Sequence, residues 1–342
     1  MKISMNKKEK SWLDVLENER TLKQGFKEFV NDCEARNLSK KTIDYYKNCY
    51  KILLKVEDTQ EEEEEREPIF AEDTKLSLIQ SQDLGIINRY LLENYKATSV
   101  NSYLRGIRAI FYFFMDLGYM KKMQIGLVKA TKQVKQTYTD EELEKLLKKP
   151  NIKAKNASFS EYRNWVIINY LLATGNRVSS ICNIKNENVN LTSDVIVLEK
   201  TKNRKEQVIP IGATLHAILK EYMSYRGGEP QDYLFCNQSG NKFTEDALKH
   251  AISKYNTKRG VRKTSCHVFR HTFAKKWILN GGDIFRLQKL LGHSSIEMVR
   301  QYVEMFGEDL QRDYNIFNPL ESLNPIKDKN DIPTMRRRKM RM

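Results

Sequence analysis

Between Cys266 and Phe306 the chain carries two imidazoles, a guanidinium and a phenol: His267, Arg270, His293 and Tyr302. These are the groups a protein would need to hold a phosphodiester and attack it. A phosphodiester anion repels nucleophiles by its own charge, and an alkoxide is a poor leaving group at neutral pH. A metal-free solution needs cations on the non-bridging oxygens, a base for the nucleophile's proton and an acid for the departing 5′-oxygen. Guanidinium suits the first task because it stays protonated and donates bidentately to phosphate. A phenol, with an ordinary pKa of about 10, is mostly neutral at pH 7, so flanking cations must favour its phenolate.

The elements that would position these groups are helices. The pattern predicts one over 267–279, with Phe269, Phe273 and Trp277 at fourfold spacing and Gly281-Gly282 ending it. His267 and Arg270, three apart, share one face of it. Asp283 caps a short apolar helix through Leu291, Gly292 stops that one, and Ser294 or Ser295 caps the last, which carries Tyr302. Phe273 and Trp277 read as core.

HVFRHTFA, then LLGHSS, then Tyr302 nine residues after His293 resemble the C-terminal signature of the tyrosine recombinases, the phage-integrase family. The resemblance implies an upstream arginine in a T-G-x-R context at the end of an apolar helix, and residues 174–177 read TGNR. It further implies that Arg177 and Arg270 clamp the scissile phosphate, that His267 accepts the proton of Tyr302, and that His293 donates a hydrogen bond to a phosphate oxygen. Tyr302 is then the nucleophile of a 3′-phosphotyrosyl link, which conserves bond energy so that a second strand's 5′-hydroxyl religates without ATP. The acid is expected on a lysine-rich hairpin between β-prone runs at 194–199 and 207–211. Counting back from Ile209-Pro210 favours Lys202; counting forward from Val195–Leu198 favours Lys200, which points the same way if both lie in a strand. Where the family usually has an acidic residue three places after the first arginine, this chain has Ser180.

Composition sets bounds on this reading. With 342 residues the chain is long enough for two domains with separate cores. Its 59 Lys and Arg against 44 Asp and Glu leave a net charge of +15, which favours a polyanionic partner through long-range attraction and counterion release. Cys33, Cys49, Cys182, Cys236 and Cys266 show no C-x-x-C spacing, which argues for a reducing cytoplasm and against zinc. No cofactor or metal is expected, and no carboxylate cluster accompanies the histidines as a metal-dependent nuclease would need. His216 and His250 match no motif. No apolar run reaches membrane-spanning length, and MKISMNKKEKSW lacks the apolar core of a signal peptide.

The N-terminal half reads as four helices: from Leu22 with Phe26, Phe29, Val30 and Cys33; from a Ser39 cap with Ile43, Tyr46, Tyr50 and Leu53; 82–95 after Ser81; and from Thr98 or Ser99 to Leu117. Arg105 and Arg108 lie off the apolar stripe of the fourth and are candidate DNA contacts, as are Lys200 and Arg204 on the hairpin. The acidic block EDTQEEEEEREP (57–68) reads as a solvated loop, or else as a DNA mimic covering a basic groove. A capping box at Thr139–Glu142 opens a new helix, so the domain boundary is set just before it. Further helices are expected over 161–173, ending at Gly175, and over 214–225 and 245–258.

The expected fold is mainly α with a small antiparallel β-sheet. In the family's terms this is a flexible 1–18, a helical core-binding (SAM-like) domain over 19–120, a basic linker over 121–138, a catalytic domain over 139–322 and a basic tail over 323–342. The resemblance is to the two-domain Xer-like members. It implies a site-specific recombinase working on double-stranded DNA as a homotetramer through a Holliday junction. In it the helix over 306–320 docks into a neighbouring protomer, and the setting is a bacterial cytoplasm, at the nucleoid. A DNA-binding regulator that has lost catalysis and a topoisomerase-like relaxing enzyme are the rivals on this scaffold.

Overall fold

The computed structural model describes residues 20–60, 62, 66–130, 135–151, 158–199, 206–293 and 295–303. The chain divides into two compact units, Met1–Gln133 and Val134–Met342. The start expected to be flexible (1–18), the expected hairpin tip with Lys200, Lys202 and Arg204, the segment 306–320 expected to dock and the basic tail lie outside the described residues, as does part of the acidic block.

In the first unit α1 (Leu22–Ala35) starts at Thr21, whose side chain accepts the Gln24 N–H while the Gln24 side chain accepts the Thr21 N–H. This reciprocal cap satisfies two otherwise orphaned donors. α2 (Lys40–Leu53) opens on Ser39, which accepts the Thr42 N–H at 3.2 Å. α3 (Ser81–Asn94) begins one residue earlier than a Ser81 cap would allow, because the Asp83 carboxylate reaches back to the Gln80 N–H at 2.8 Å. α4 (Ala97–Asp116) also starts ahead of Thr98. It has no side-chain cap, so burial of Val100, Leu104, Ile107, Ile110, Phe111 and Phe114 sets its extent. A Cβ on Gly106 would lie 2.3 Å from Cys49 Sγ, so α4 crosses α2 where only glycine fits.

The basic run expected to be a linker is largely claimed by the two units. Met120 and Ile125 are buried in the first core, and the Asn101 side-chain amide exchanges two 2.9 Å bonds with the Val128 backbone. Tyr138 is buried in the second core, so the expected boundary before Thr139 falls inside the second unit.

The second unit is built round α6 (Phe159–Thr174), which is buried on nearly every side: Trp165, Val166, Ile167, Ile168, Tyr170 and Leu171 are all in the core. A helix apolar all round must be central. α5 (Asp140–Leu147, with the Thr139–Glu142 capping box), α8 (Ala213–Arg226), α9 (Glu245–Lys258) and α10 (Cys266–Leu279) pack against it. Between α6 and α8 come a short α7 (Val178–Ile181) and an antiparallel sheet β1-β2-β3 (Val189–Asn190, Val195–Leu198, Gln207–Pro210). The two-residue β1 was not visible as a strand in the sequence. Ile196 pairs with Ile209 and Leu198 with Gln207; Ile196, Leu198 and Ile209 face the core. Among the described residues no helix is long and apolar enough to cross a membrane.

α11 (Ile284–Leu291) is capped by Asp283, which accepts the Arg286 N–H, and is stopped by left-handed Gly292 at φ +58°. α12 (Glu297–Val303) carries Tyr302, whose side chain lies outside the described residues. This helix opens after Ile296, so Ser295 stands too early to be its cap, and Ser294 is not described. Phe273 and Trp277 are only half-buried, against a small separate cluster of Ala274, Leu287, Leu291 and Val299 that holds α10, α11 and α12 together.

Candidate active site

The T-G-N-R segment is shaped by the end of α6. Gly175 adopts φ +62° and its N–H caps Leu171 O. Thr174 Oγ1 donates to Tyr170 O, and Asn176 Nδ2 donates to the buried Tyr170 hydroxyl at 2.7 Å. Arg177 thereby becomes the first residue ahead of α7, its guanidinium half-buried and donating to Gly292 O at 3.4 and 3.5 Å. Bonds this long are weak, so a phosphate oxygen would displace them at small cost.

Arg270 is held quite differently. It is 4% exposed. Nη1 donates to Gly175 O at 2.9 Å, and Nη2 donates to Leu291 O at 2.7 Å and to His293 Nε2 at 2.6 Å. One guanidinium thus ties the end of α6 to the end of α11 and to the turn beyond it. Arginine cannot accept, so Nε2 of His293 must, and the ring is neutral with its proton on Nδ1. As a donor to phosphate, His293 would act through Nδ1–H, or through Nε2 after leaving Arg270.

Burial first, then Arg270, Arg177, Lys135 and His271, push His293 down to about 3. Burial, then Lys135, His267 and Arg270, push His271 down to about 4. His267 reaches solvent, yet loss of hydration on its protein side, followed by Arg270, Arg177, Lys249 and Lys135, also lowers its pKa. A neutral His267 at pH 7 is the form that can accept a proton.

These depressed values bear on stability. The unfolded chain binds protons at an ordinary histidine pKa of about 6.5 and the folded chain does not, so stability is fully present above pH 6.5 and falls as the pH drops below it. Lowering the pH from 6.5 to 5 should reduce the urea midpoint of the DNA-free protein. The expected loss is about 1 kcal/mol per imidazole after discounting for solvent. A double His271→Asn, His293→Asn variant should show a flatter profile; an unchanged slope would refute the assignment.

Gly175 predicts a second effect. An alanine there keeps a strained positive φ and brings its Cβ to 2.5 Å from Phe273 Cδ1 and 2.9 Å from Leu291 Cδ2. Gly175→Ala should cost about 1–3 kcal/mol in chemical denaturation.

The phage integrase family model matches residues 136–308, half the chain, and spans Arg177, His267, Arg270 and His293. The chain belongs to the phage integrase family. Tyrosine recombinase XerC of Bacillus subtilis is 28% identical over 264 residues, covering 72% of this chain and 81% of that protein. A lambda integrase tetramer bound to a Holliday junction shares the fold at a TM-score of 0.63 and 16% identity, covering 86% of this chain and 83% of that one. The Tn1549 transposon integrase in complex with transposon right end DNA does so at 0.63 and 18%, covering 83% and 94%.

Within this integrase-family chain the structure brings together Arg177, His267, Arg270 and His293 from three segments. It adds three residues that the sequence reading passed over. His271 stacks on His267 with ring centroids 6.5 Å apart; its spacing, four residues on along one helix, was a usable signal. Gln207, at the base of the hairpin, donates to Lys289 O and Leu290 O at 2.8 Å and so fastens β3 to the end of α11. Lys135 acts on all three imidazoles from within the basic run. At the departure from the family pattern, Ser180 lines a cavity with Glu199, whose carboxylate accepts from Asn188 Nδ2 at 2.9 Å. In the first unit Arg105 is exposed on α4 and Arg108 half-buried.

Proposed function

We propose that this chain is a site-specific recombinase that cleaves and rejoins double-stranded DNA through a 3′-phosphotyrosyl intermediate. The carrying observation is the meeting of Arg177, Arg270 and His293 at the turn that leads into the helix bearing Tyr302. The Tyr302 hydroxyl attacks phosphorus and passes its proton to His267. The bond from phosphorus to the 5′-oxygen breaks, and Lys202, or Lys200, protonates the leaving oxygen. Arg177 and Arg270 neutralise the charge that grows on the non-bridging oxygens, and such preorganised donors are typically worth about 3–4 kcal/mol each. Attack by a second strand's 5′-hydroxyl reverses the step on a new partner.

The helical unit over 19–120, with Arg105 and Arg108, and the catalytic unit over 139–322, with Arg204 at the hairpin tip, would clamp the duplex. The segment 306–320 would link four protomers on a Holliday junction, at the bacterial nucleoid. Incubating the purified protein with duplex DNA in chelator and trapping a detergent-resistant adduct at Tyr302 tests the chemistry. DNA binding without any adduct on a nicked suicide substrate would overturn it in favour of a silent regulator. Relaxation of plasmid lacking two specific sites would replace recombination with a relaxing activity.

A further inference from the structure

The carbonyls at the end of α11 are met one after another by side chains from outside the helix. Gln207 Nε2 donates to Lys289 O and to Leu290 O at 2.8 Å. Arg270 Nη2 donates to Leu291 O at 2.7 Å, and Arg177 donates to Gly292 O at 3.4 and 3.5 Å. The last carbonyls of a helix have no partner within it, so whatever meets them fixes where the helix end lies. Two of these three side chains are the arginines assigned to the scissile phosphate. The third is neutral and comes from β3, where Gln207 pairs with the buried Leu198 and Ile209 holds the strand in the core.

The turn beyond α11 carries His293. Its N–H donates to Gln288 O at 3.0 Å and its carbonyl accepts from Gln288 Nε2 at 3.3 Å, so the imidazole moves with the helix end. Gln207 also stands against the turn itself. A Cβ on Gly292 would lie 3.2 Å from Gln207 Oε1 and 3.6 Å from Arg177 Nη1, so both side chains close on one side of that glycine. When phosphate oxygens take the guanidinium of Arg177, the turn gives up its bond to that side chain. The bonds from Gln207 go to carbonyls farther back in the helix, and nothing in that step asks them to break.

We propose that Gln207 is a positioning residue for the cleavage reaction, holding the end of α11 so that the Gly292–His293 turn keeps its imidazole in place while the arginines engage the phosphate. The part in cleavage rests on the recombinase reading, whereas the hold on His293 can be read in the DNA-free protein. The amide suits the task because it donates to two carbonyls without adding charge. A carboxylate there would be repelled by the same carbonyls, and an ammonium would be favoured at the C-terminal end of a helix.

The test uses the full chain. In the DNA-free protein, NMR follows the His293 imidazole, one of five in the chain, assigned by the signal lost in His293→Asn. Burial, then Arg270, Arg177, Lys135 and His271, hold its pKa down at about 3, so in the wild type it should stay neutral to pH 5. Gln207→Met keeps the side-chain length and removes the donor, and should raise the His293 midpoint by about 1 pH unit or more. On a nicked duplex selected by the wild type from a randomised pool, Gln207→Met should slow adduct formation at saturating DNA by about 10–10²-fold. Affinity and its salt dependence should not change, because no phosphate contact is lost. Gln207→Lys, which can donate to both carbonyls, should recover most of the rate. In a His293→Asn background Gln207→Met should cost little more, because both act through one contact. A wild-type His293 titration in Gln207→Met, an undiminished adduct rate, or a full further loss in the His293→Asn background would overturn the proposal. If Gln207→Met does not melt cooperatively, hydrogen exchange in the unaltered protein decides. The Gln207 side-chain amide protons should exchange slowly with and without DNA, and exchange at the rate of a free amide would refute the tie. A wild type that binds but forms no adduct would sink the recombinase reading, while the titration would still decide whether Gln207 holds His293.

Discussion

Tyr302→Phe should abolish covalent attachment to DNA and leave duplex binding in place. The change removes a single oxygen from a residue on α12, a helix held to the body of the unit by Val299, which is buried among Ala274, Leu287 and Leu291. Affinity for the duplex rests on phosphate contacts made by other side chains and so should persist. The proposed chemistry has no second route, because the phenol oxygen is the atom that it would esterify. Loss of a covalent nucleophile in other enzymes costs on the order of 10⁶ in turnover, and a comparable loss is expected here in adduct yield and in joined product. Gel-shift and adduct assays on one preparation separate the two effects. A Tyr302→Phe protein that still joins strands at the wild-type rate would refute the mechanism outright.

Arg270→Ala should be the second most damaging change, and it should differ in kind from Arg177→Ala. Both arginines are assigned to the scissile phosphate, so each truncation should slow cleavage by roughly 10²–10³-fold. Their structural loads are unequal. Arg270 is buried and satisfies Gly175 O, Leu291 O and His293 Nε2 over short distances. Its loss leaves two buried carbonyls without that donor, at about 1–3 kcal/mol each before relaxation, and frees the half-buried His293 imidazole. Arg177 is only half-buried and its bonds to Gly292 O, at 3.4 and 3.5 Å, are long, so its truncation should lower the melting temperature less than that of Arg270. Arg270→Lys should rescue little, since one ammonium cannot span acceptors on α6, α11 and His293 together. Equal melting temperatures for the two alanine variants would show that the tie between α6 and α11 is not a structural one.

Much of this molecule follows from local chemistry that a linear reading can see. Caps at Ser39, Thr139 and Asp283, the glycine stops at 175 and 292, and the apolar stripe of α4 act within a few residues of themselves, so their helices were predicted closely. The order of T-G-N-R, H-x-x-R, G-H and Tyr302 was sufficient for the family, because four spaced motifs seldom coincide by chance. Failures came where a neighbour remote in sequence, or a competing side chain, decided the outcome. Asp83 outcompeted Ser81 as a cap, and the two-residue β1 exists only because β2 lies beside it.

The site itself divides the same way. Residue types determined what chemistry was available: guanidinium for phosphate, imidazole for the proton, phenol for attack. Only tertiary packing decided their states. It buried Arg270 against two carbonyls and left Arg177 half-buried. It made Nε2 of His293 an acceptor, kept three imidazoles neutral chiefly by burial and then by neighbouring cations, and brought Lys135 and Gln207 in from other parts of the chain. Hydrogen-bond partners and electrostatic neighbours depend on distances in space, and those exist only once the helices have closed round α6.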